Sequence, residues 1–226
     1  DDAHDEMLES AFDEFRSVDA RFSTYKDASD ISRLNRGEIA MHDTHAEVQD
    51  VLSRCARLRA ATRGYFDVCA ASHSLIDPSG LVKGWSVDRV AGMLAGLGAR
   101  NFAINAGGDV IVRGCAYPDD CWRVGIQHPT LSDKVAAVVV ANDLAIATSG
   151  AYARGAHIIN PHTRRAPSGV LSVTITGPDL ATADAYATAA FAMGTQGPAW
   201  TARLTGYEAM TILSDDRVLS TPGFPT

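Results

Sequence analysis

The stretch Ala183-Asp184-Ala185-Tyr186-Ala187-Thr188-Ala189 sets an acid and a hydroxyl four residues apart in an alanine-rich run. Residues at i and i+4 share one face of a helix, so Asp184 and Thr188 point the same way. Small alanines on the other positions let a second surface approach closely. A hard cation takes oxygen ligands of this kind, often one or two carboxylates completed by a substrate phosphate. The same two residues would also suit a helix start and a small core position. The spacing alone leaves both readings open.

Working outward, apolar residues recur at three- and four-residue steps over 5–20 and 44–63, which predicts two helices. A third is predicted from Ser86 to Leu97, and the alanine-rich helix spans about Ala181 to Met193. Strand-like runs cover 102–105, 109–113, 122–127, 135–141, 145–148 and 170–176. A short helix near 198–205 and strands near 208–213 and 218–220 complete the chain. Hairpins in the middle and helices at the front predict an α+β fold with a largely antiparallel sheet flanked by helices. No linker-like break interrupts 1–226, so one domain is expected.

The chain has 226 residues and a formal charge of −7, which argues against a nucleic-acid partner. No apolar run approaches the ~18 residues of a spanning helix. The opening Asp1-Asp2-Ala3-His4-Asp5-Glu6 is acidic where a secretory signal would be basic. A cytoplasmic location is expected, or the cell envelope if a signal segment precedes Asp1. Cys55, Cys69, Cys115 and Cys121 show no zinc-like spacing. Cys115 and Cys121 could bridge across a loop, and separate reduced thiols would fit a reducing compartment.

Four junctions carry chemistry. In Asp77-Pro78-Ser79-Gly80-Leu81-Val82-Lys83-Gly84 a turn leads into a helix. A helix N-terminus has free N–H groups and partial positive charge, and Lys83 adds a full charge, so the segment suits phosphate; a surface turn with a solvated lysine fits it equally. The GxxxxGK[ST] pattern of a P-loop is missing. Asn105-Ala106-Gly107-Gly108-Asp109 reads as a hairpin turn or a close backbone approach to a ligand. Ala147-Thr148-Ser149-Gly150 follows an apolar strand without the GxSxG of a serine nucleophile. In Gly155-Ala156-His157-Ile158-Ile159-Asn160-Pro161-His162-Thr163, His157 could act as a general base or be a structural histidine.

Taken in order, these segments resemble a known family. Phe22 to Tyr25, Ser29 to Asn35, Gly64 to Asp67, DPSGLVKGWSVD, NAGGDV, ATSG, HIINPHT and ADAYATA match the FAD:protein FMN transferases, the ApbE-like flavin transferases. The resemblance runs from about Phe22 to Gly194, and eight motifs in one order make it specific. It implies a compact, T-fold-like version of that fold. It implies Mg²⁺-dependent transfer of FMN from FAD to a Ser or Thr hydroxyl of an acceptor protein, releasing AMP. The alternatives within the resemblance are an FAD pyrophosphatase and a non-catalytic FAD-binding protein. The family's metal ligands fall on Asp184, Thr188 and the Gly80 carbonyl, and its base falls on His157. Flavin-nucleotide contacts fall on Tyr25, Phe66, Asp67, Asp77, Lys83 and Ile158.

The chain also departs from the family pattern. An earlier strand with a Met-Gly-Thr-like segment is not in it, nor is a lipid-attachment cysteine near its start. The segment between Phe66 and Lys83 is short. Arg164 stands where the family prefers Gly, Asn160 where Asp is commoner, and Gly80 where Ala is commoner.

Overall fold

Four α-helices precede the first strand among the described residues: α1 (Asp2–Phe22), α2 (Asp30–Asn35), α3 (Ala46–Ala61) and α4 (Ser79–Gly96). The computed structural model of the chain describes residues 2–70, 75–118, 120–150 and 158–226. Five strands follow: β1 (Phe102–Ala106), β2 (Asp109–Arg113), β3 (Trp122–Gln127), β4 (Val135–Ala141) and β5 (Leu144–Gly150). Then come β6 (Val170–Gly177), α5 (Leu180–Ala192), α6 (Gly197–Thr201), β7 (Glu208–Leu213) and β8 (Val218–Ser220). The strands form a six-stranded sheet in the order β1-β2-β5-β6-β7-β8 and a separate ribbon, β3-β4. Every pairing among these strands is antiparallel. The expected α+β class and antiparallel sheet are therefore observed.

Side chains alternate across the sheet and sort the core into two layers. Ile111, Ala145, Ala147, Val173, Ile175 and Ala209 face α4 and α5. Ile146, Met210 and Ile212 face the opposite way and pack with Ile126 of β3 and Val139 of β4. The sheet is thus held between helices on one side and the β3-β4 ribbon on the other. A third cluster joins α1, α3, α4 and α5 through Val18, Phe22, Val51, Leu81 and Ala185.

The alanines of α5 explain its place. Ala181, Ala183, Ala185, Ala187, Ala189 and Ala190 are all fully buried. Helix and sheet backbones approach α5 from several sides because no large side chain holds them off. The crossing with α4 is made at Gly84, where a Cβ would lie 2.6 Å from the Leu180 carbonyl oxygen.

One boundary differs from the sequence expectation in a way that matters for function. The helix expected from Ser86 begins at Ser79, after Pro78. Two glycines, Gly80 and Gly84, weaken its first turns by propensity. Tertiary packing overrides that cost, since α4 can cross α5 closely only where Gly84 leaves room. Lys83 therefore sits on a helix rather than in a turn before one. α2 is a further addition, with the Ser29 hydroxyl accepting from the Ser32 amide at 3.0 Å as its N-cap. The helix expected over 198–205 is only the five-residue α6.

Candidate functional site

The position of α5 is set by its first turn. Asp179 caps it, accepting from the Thr182 amide at 2.8 Å. Asp88 of α4 accepts from the next two free amides, Leu180 and Ala181, both at 2.9 Å. Arg54 of α3 donates to Thr182 Oγ1 at 2.8 Å and pairs with Asp179, whose other oxygen accepts from the Tyr207 hydroxyl. Three elements therefore fix the axial position and rotation of the helix that carries Asp184 and Thr188.

Asp184 is almost fully buried, and its Oδ2 has no hydrogen-bond partner. Lys83 Nζ stands 3.6 Å from that oxygen, near enough for an ion pair and too far for a hydrogen bond. The same ammonium makes an ion pair with Asp109 Oδ2, also buried. Burial pushes the Asp184 carboxyl up to about 8, and the neighbouring Asp109 charge adds to this. Lys83 and the Gly84 amide pull the other way without cancelling it. Two buried carboxylates thus share one cation that is itself about a third exposed, 34 %, toward the cleft above.

Thr188 lies one turn further along the same face. Its Oγ1 is 3.4 Å from Ser149 Oγ of β5. A Cβ built on Gly80 would lie 3.9 Å from Thr188 Oγ1 and 3.3 Å from the Phe66 ring. The start of α4, the middle of α5 and the end of β5 therefore meet at one point. Asp109 enters from β2: the β1-β2 hairpin turns through Gly107 and Gly108, at φ +63° and +100°, and Asp109 follows directly. Asp109 Oδ1 accepts from the Thr148 amide at 3.1 Å, which ties the acid to the neighbouring strand.

Gly80, Lys83, Ser149, Asp184 and Thr188 form the floor of a cleft of about 990 Å³, with Asp109 held behind Lys83. Tyr25, Phe66, Asp67, Asp77, Gly80, Lys83, Ile158, Asp184 and Thr188, gathered from a span of more than 160 residues in sequence, all line it. β3 supplies a wall through Trp122 to Gln127. Tyr25 is 95 % exposed at the rim. Asp77 accepts from the Ser79 amide at 3.0 Å and so caps the N-terminus of α4. The Asp67 carboxylate is engaged with Arg59 Nε at 3.0 Å and the Cys69 amide at 2.9 Å, so it shapes the wall. His157 lies outside the described residues.

The donors that meet at the floor are hard oxygens: a carboxylate with an orphaned buried atom, a hydroxyl one turn away, and the backbone at Gly80. That set suits a small hard cation better than a thiolate-loving metal. Asp109 was not singled out from the sequence, where it follows Gly107-Gly108 and reads as part of a hairpin. An acid at the head of an otherwise apolar strand, Val110-Ile111-Val112, was the available signal. Ser149 was read only as a hydroxyl at a sheet edge, and its partner on α5 could not be seen from spacing.

Comparison with known proteins decides the family. The sequence profile of the ApbE family matches residues 2–74 and 70–211. The chain belongs to the ApbE family. A FAD:protein FMN transferase of Vibrio cholerae is 36 % identical over 129 residues, covering 53 % of this chain and 39 % of that protein. One of Haemophilus influenzae is 26 % identical over 242 residues, covering 79 % of this chain and 70 % of that protein. The chain thus matches well under half the length of the first relative and over two thirds of the second. A solved structure of the flavin transferase ApbE from Vibrio cholerae superposes with a TM-score of 0.86 at 23 % identity, covering 97 % of this chain and 89 % of that one. The ApbE fold therefore extends over nearly all of this chain. In this ApbE protein the described residues among those selected by motif order line one cleft.

Proposed function

We propose that this ApbE protein transfers the FMN part of FAD to a Ser or Thr hydroxyl of an acceptor protein and releases AMP. The observation that carries the reading is the floor of the cleft, where Lys83, Asp184 and Thr188 converge beneath a wall able to hold a dinucleotide. A cleft of about 990 Å³ is at the upper end of small-molecule sites, about 300–1,000 Å³.

Asp184, Thr188 and the Gly80 carbonyl would hold Mg²⁺, for which the orphaned Asp184 oxygen is a ready ligand. The bound ion would neutralise diphosphate charge as the phosphoester exchanges. Lys83 places a second positive charge at the same phosphates, steadied between two carboxylates. Ser79 and Gly80, at the N-terminus of α4, line the cleft, and the positive end of the helix favours an anion there. Tyr25 offers an exposed aromatic face to the adenine. Phe66 and Ile158 supply apolar wall. His157 is the proposed base that takes the proton of the acceptor hydroxyl, so that the oxygen attacks the FMN phosphorus while the bond to AMP breaks.

The test is direct. The protein, FAD, Mg²⁺ and a flavin-acceptor domain are incubated, and the acceptor band is read for covalent flavin fluorescence on a denaturing gel. A fluorescent acceptor with one AMP released per flavin attached is the expected result. AMP and FMN formed with no labelled acceptor would replace transfer by hydrolysis, and FAD retained with no AMP would leave a binding protein. His157→Ala should block transfer more than FAD binding; equal loss of both would make it a structural histidine.

A further inference from the structure

Cys115 and Cys121 take no part in the cleft. They lie at the two ends of the loop that leads from β2 into β3. Ala116 and Asp120 form an isolated antiparallel bridge, each amide donating to the other's carbonyl, at 2.8 and 3.0 Å. Cys115 and Cys121 are the next residues outward from that bridge. Because 116 and 120 are the hydrogen-bonded pair, one further step of the same antiparallel pattern would set 115 and 121 as a non-hydrogen-bonded pair. Such pairs have Cα atoms about 4.5 Å apart, with side chains on one face. Disulfides need Cα separations of about 4.4–6.8 Å.

A second contact points the same way. The Asn142 side-chain amide donates toward Cys115 Sγ at 3.8 Å. Trp122 pairs with Ala141, so the next step of the β3-β4 ladder sets Asn142 beside Cys121. The sulfur of Cys115 therefore lies at Asn142, near the start of β3. Both thiols are free and partly exposed, within reach of a soluble oxidant. The other two cysteines differ: Cys55 is buried, its thiol pushed up to about 12 by that burial, and burial beside Asp67 raises Cys69.

We propose that Cys115 and Cys121 are a redox pair that closes into a reversible intramolecular disulfide. The oxidant is a small disulfide such as glutathione disulfide. One cysteine thiolate attacks it, the oxidant's S–S bond breaks, and a thiol leaves as a mixed disulfide forms. The second cysteine's thiolate attacks that mixed disulfide at the protein sulfur and expels the second thiol. Net, two protein thiols lose two electrons and two protons, and the oxidant becomes two thiols. The closed loop fixes the entry to β3, where Trp122 Nε1 already donates to the Arg113 carbonyl at 3.0 Å. β3 is a wall of the cleft, so the bridge stiffens that wall at its root.

The native protein is equilibrated with glutathione buffers from reducing to oxidising, quenched with acid, denatured and labelled with a maleimide. The expected result at the oxidising end is two labels where the reduced protein takes four, one on each cysteine. The tryptic peptide from Gly114 to Arg123, which holds both cysteines, should be lighter by the two hydrogens lost on closure. The thermal midpoint should rise on oxidation and stay unchanged in the Cys115→Ser, Cys121→Ser double variant. Four labels at every buffer ratio would overturn the proposal. So would oxidised protein that carries only glutathione adducts, cross-linked dimers, or a bridge between Cys55 and Cys69.

Discussion

Lys83 Nζ stands 3.6 Å from Asp184 Oδ2 across the crossing of α4 and α5. That separation is possible because Gly84, the next residue, lets the two helix backbones nearly touch. A cation binding Asp184 would compete with Lys83 for the same oxygen and free the ammonium for phosphate. The pair is thus a preformed charge arrangement that a metal and a diphosphate can redistribute.

Asp184→Asn keeps the shape of the side chain and removes its charge. Mg²⁺-dependent AMP release from FAD should fall by on the order of 10²-fold or more. The thermal midpoint of the metal-free protein should hold or rise, because a desolvated carboxylate has been neutralised. Unchanged turnover would place the metal elsewhere.

The raised Asp184 pKa has a definite sign. The carboxyl shifts from an ordinary 3.8 to about 8 on folding, so the folded state holds the proton more tightly. Its contribution to stability is full below the ordinary value and is lost as pH rises toward the folded one. The metal-free protein should therefore lose stability between about pH 4 and 8, and saturating Mg²⁺ should flatten that slope. Mg²⁺ affinity should climb over the same range, since the ligand must be ionised. Midpoints measured with and without Mg²⁺ across this range check both signs.

Lys83→Met leaves Asp109 and Asp184 facing each other without a cation. Removing one partner of a buried pair costs about 3–5 kcal/mol, and the partial exposure of Lys83 puts this case near about 2–3 kcal/mol at pH 8. The cost should shrink at pH 5, where the carboxyl takes up a proton. Chemical denaturation at the two pH values separates these outcomes.

The two glycines of α4 should respond differently to alanine. At Gly84 a Cβ meets the Leu180 carbonyl oxygen at 2.6 Å and Ala181 Cα at 2.9 Å, and both are backbone atoms that cannot step aside. Gly84→Ala should cost about 1–3 kcal/mol and lower turnover by pushing Lys83 from Asp184. At Gly80 the nearest atom is 3.3 Å away on the Phe66 ring, a side chain that would have to give by only a few tenths of an ångström. Gly80→Ala should change stability by under about 1 kcal/mol and keep activity, as only a carbonyl is needed there.

Arg164 adopts φ +59°, the left-handed region where a side chain is strained. This explains why the family pattern prefers glycine at that place. Arg164→Gly should hold or raise stability by up to about 1 kcal/mol, visible as a small upward shift of the thermal midpoint. A clear loss would show that the arginine's own interactions outweigh the strain.

Much of the site was legible in the chain because its signals are local. The i, i+4 step of Asp184 and Thr188 needs only helical periodicity. Each strand from β1 to β8 lies close to an alternating or apolar run bounded by turn residues. The start of α4 was not legible, since Gly80 and Gly84 speak against a helix by propensity and only the contact with α5 requires them.

By itself, then, the sequence determined the α+β class, the order of motifs and two oxygens on one face of a helix. Only the tertiary structure decided that Asp109 joins the site, that Ser149 meets Thr188, and that one lysine serves two buried acids. The physical reason is range. Periodicity and capping act over a few residues of chain, whereas Lys83, Asp109 and Asp184 come from three elements. Their mutual charge is felt only after packing has excluded water from between them.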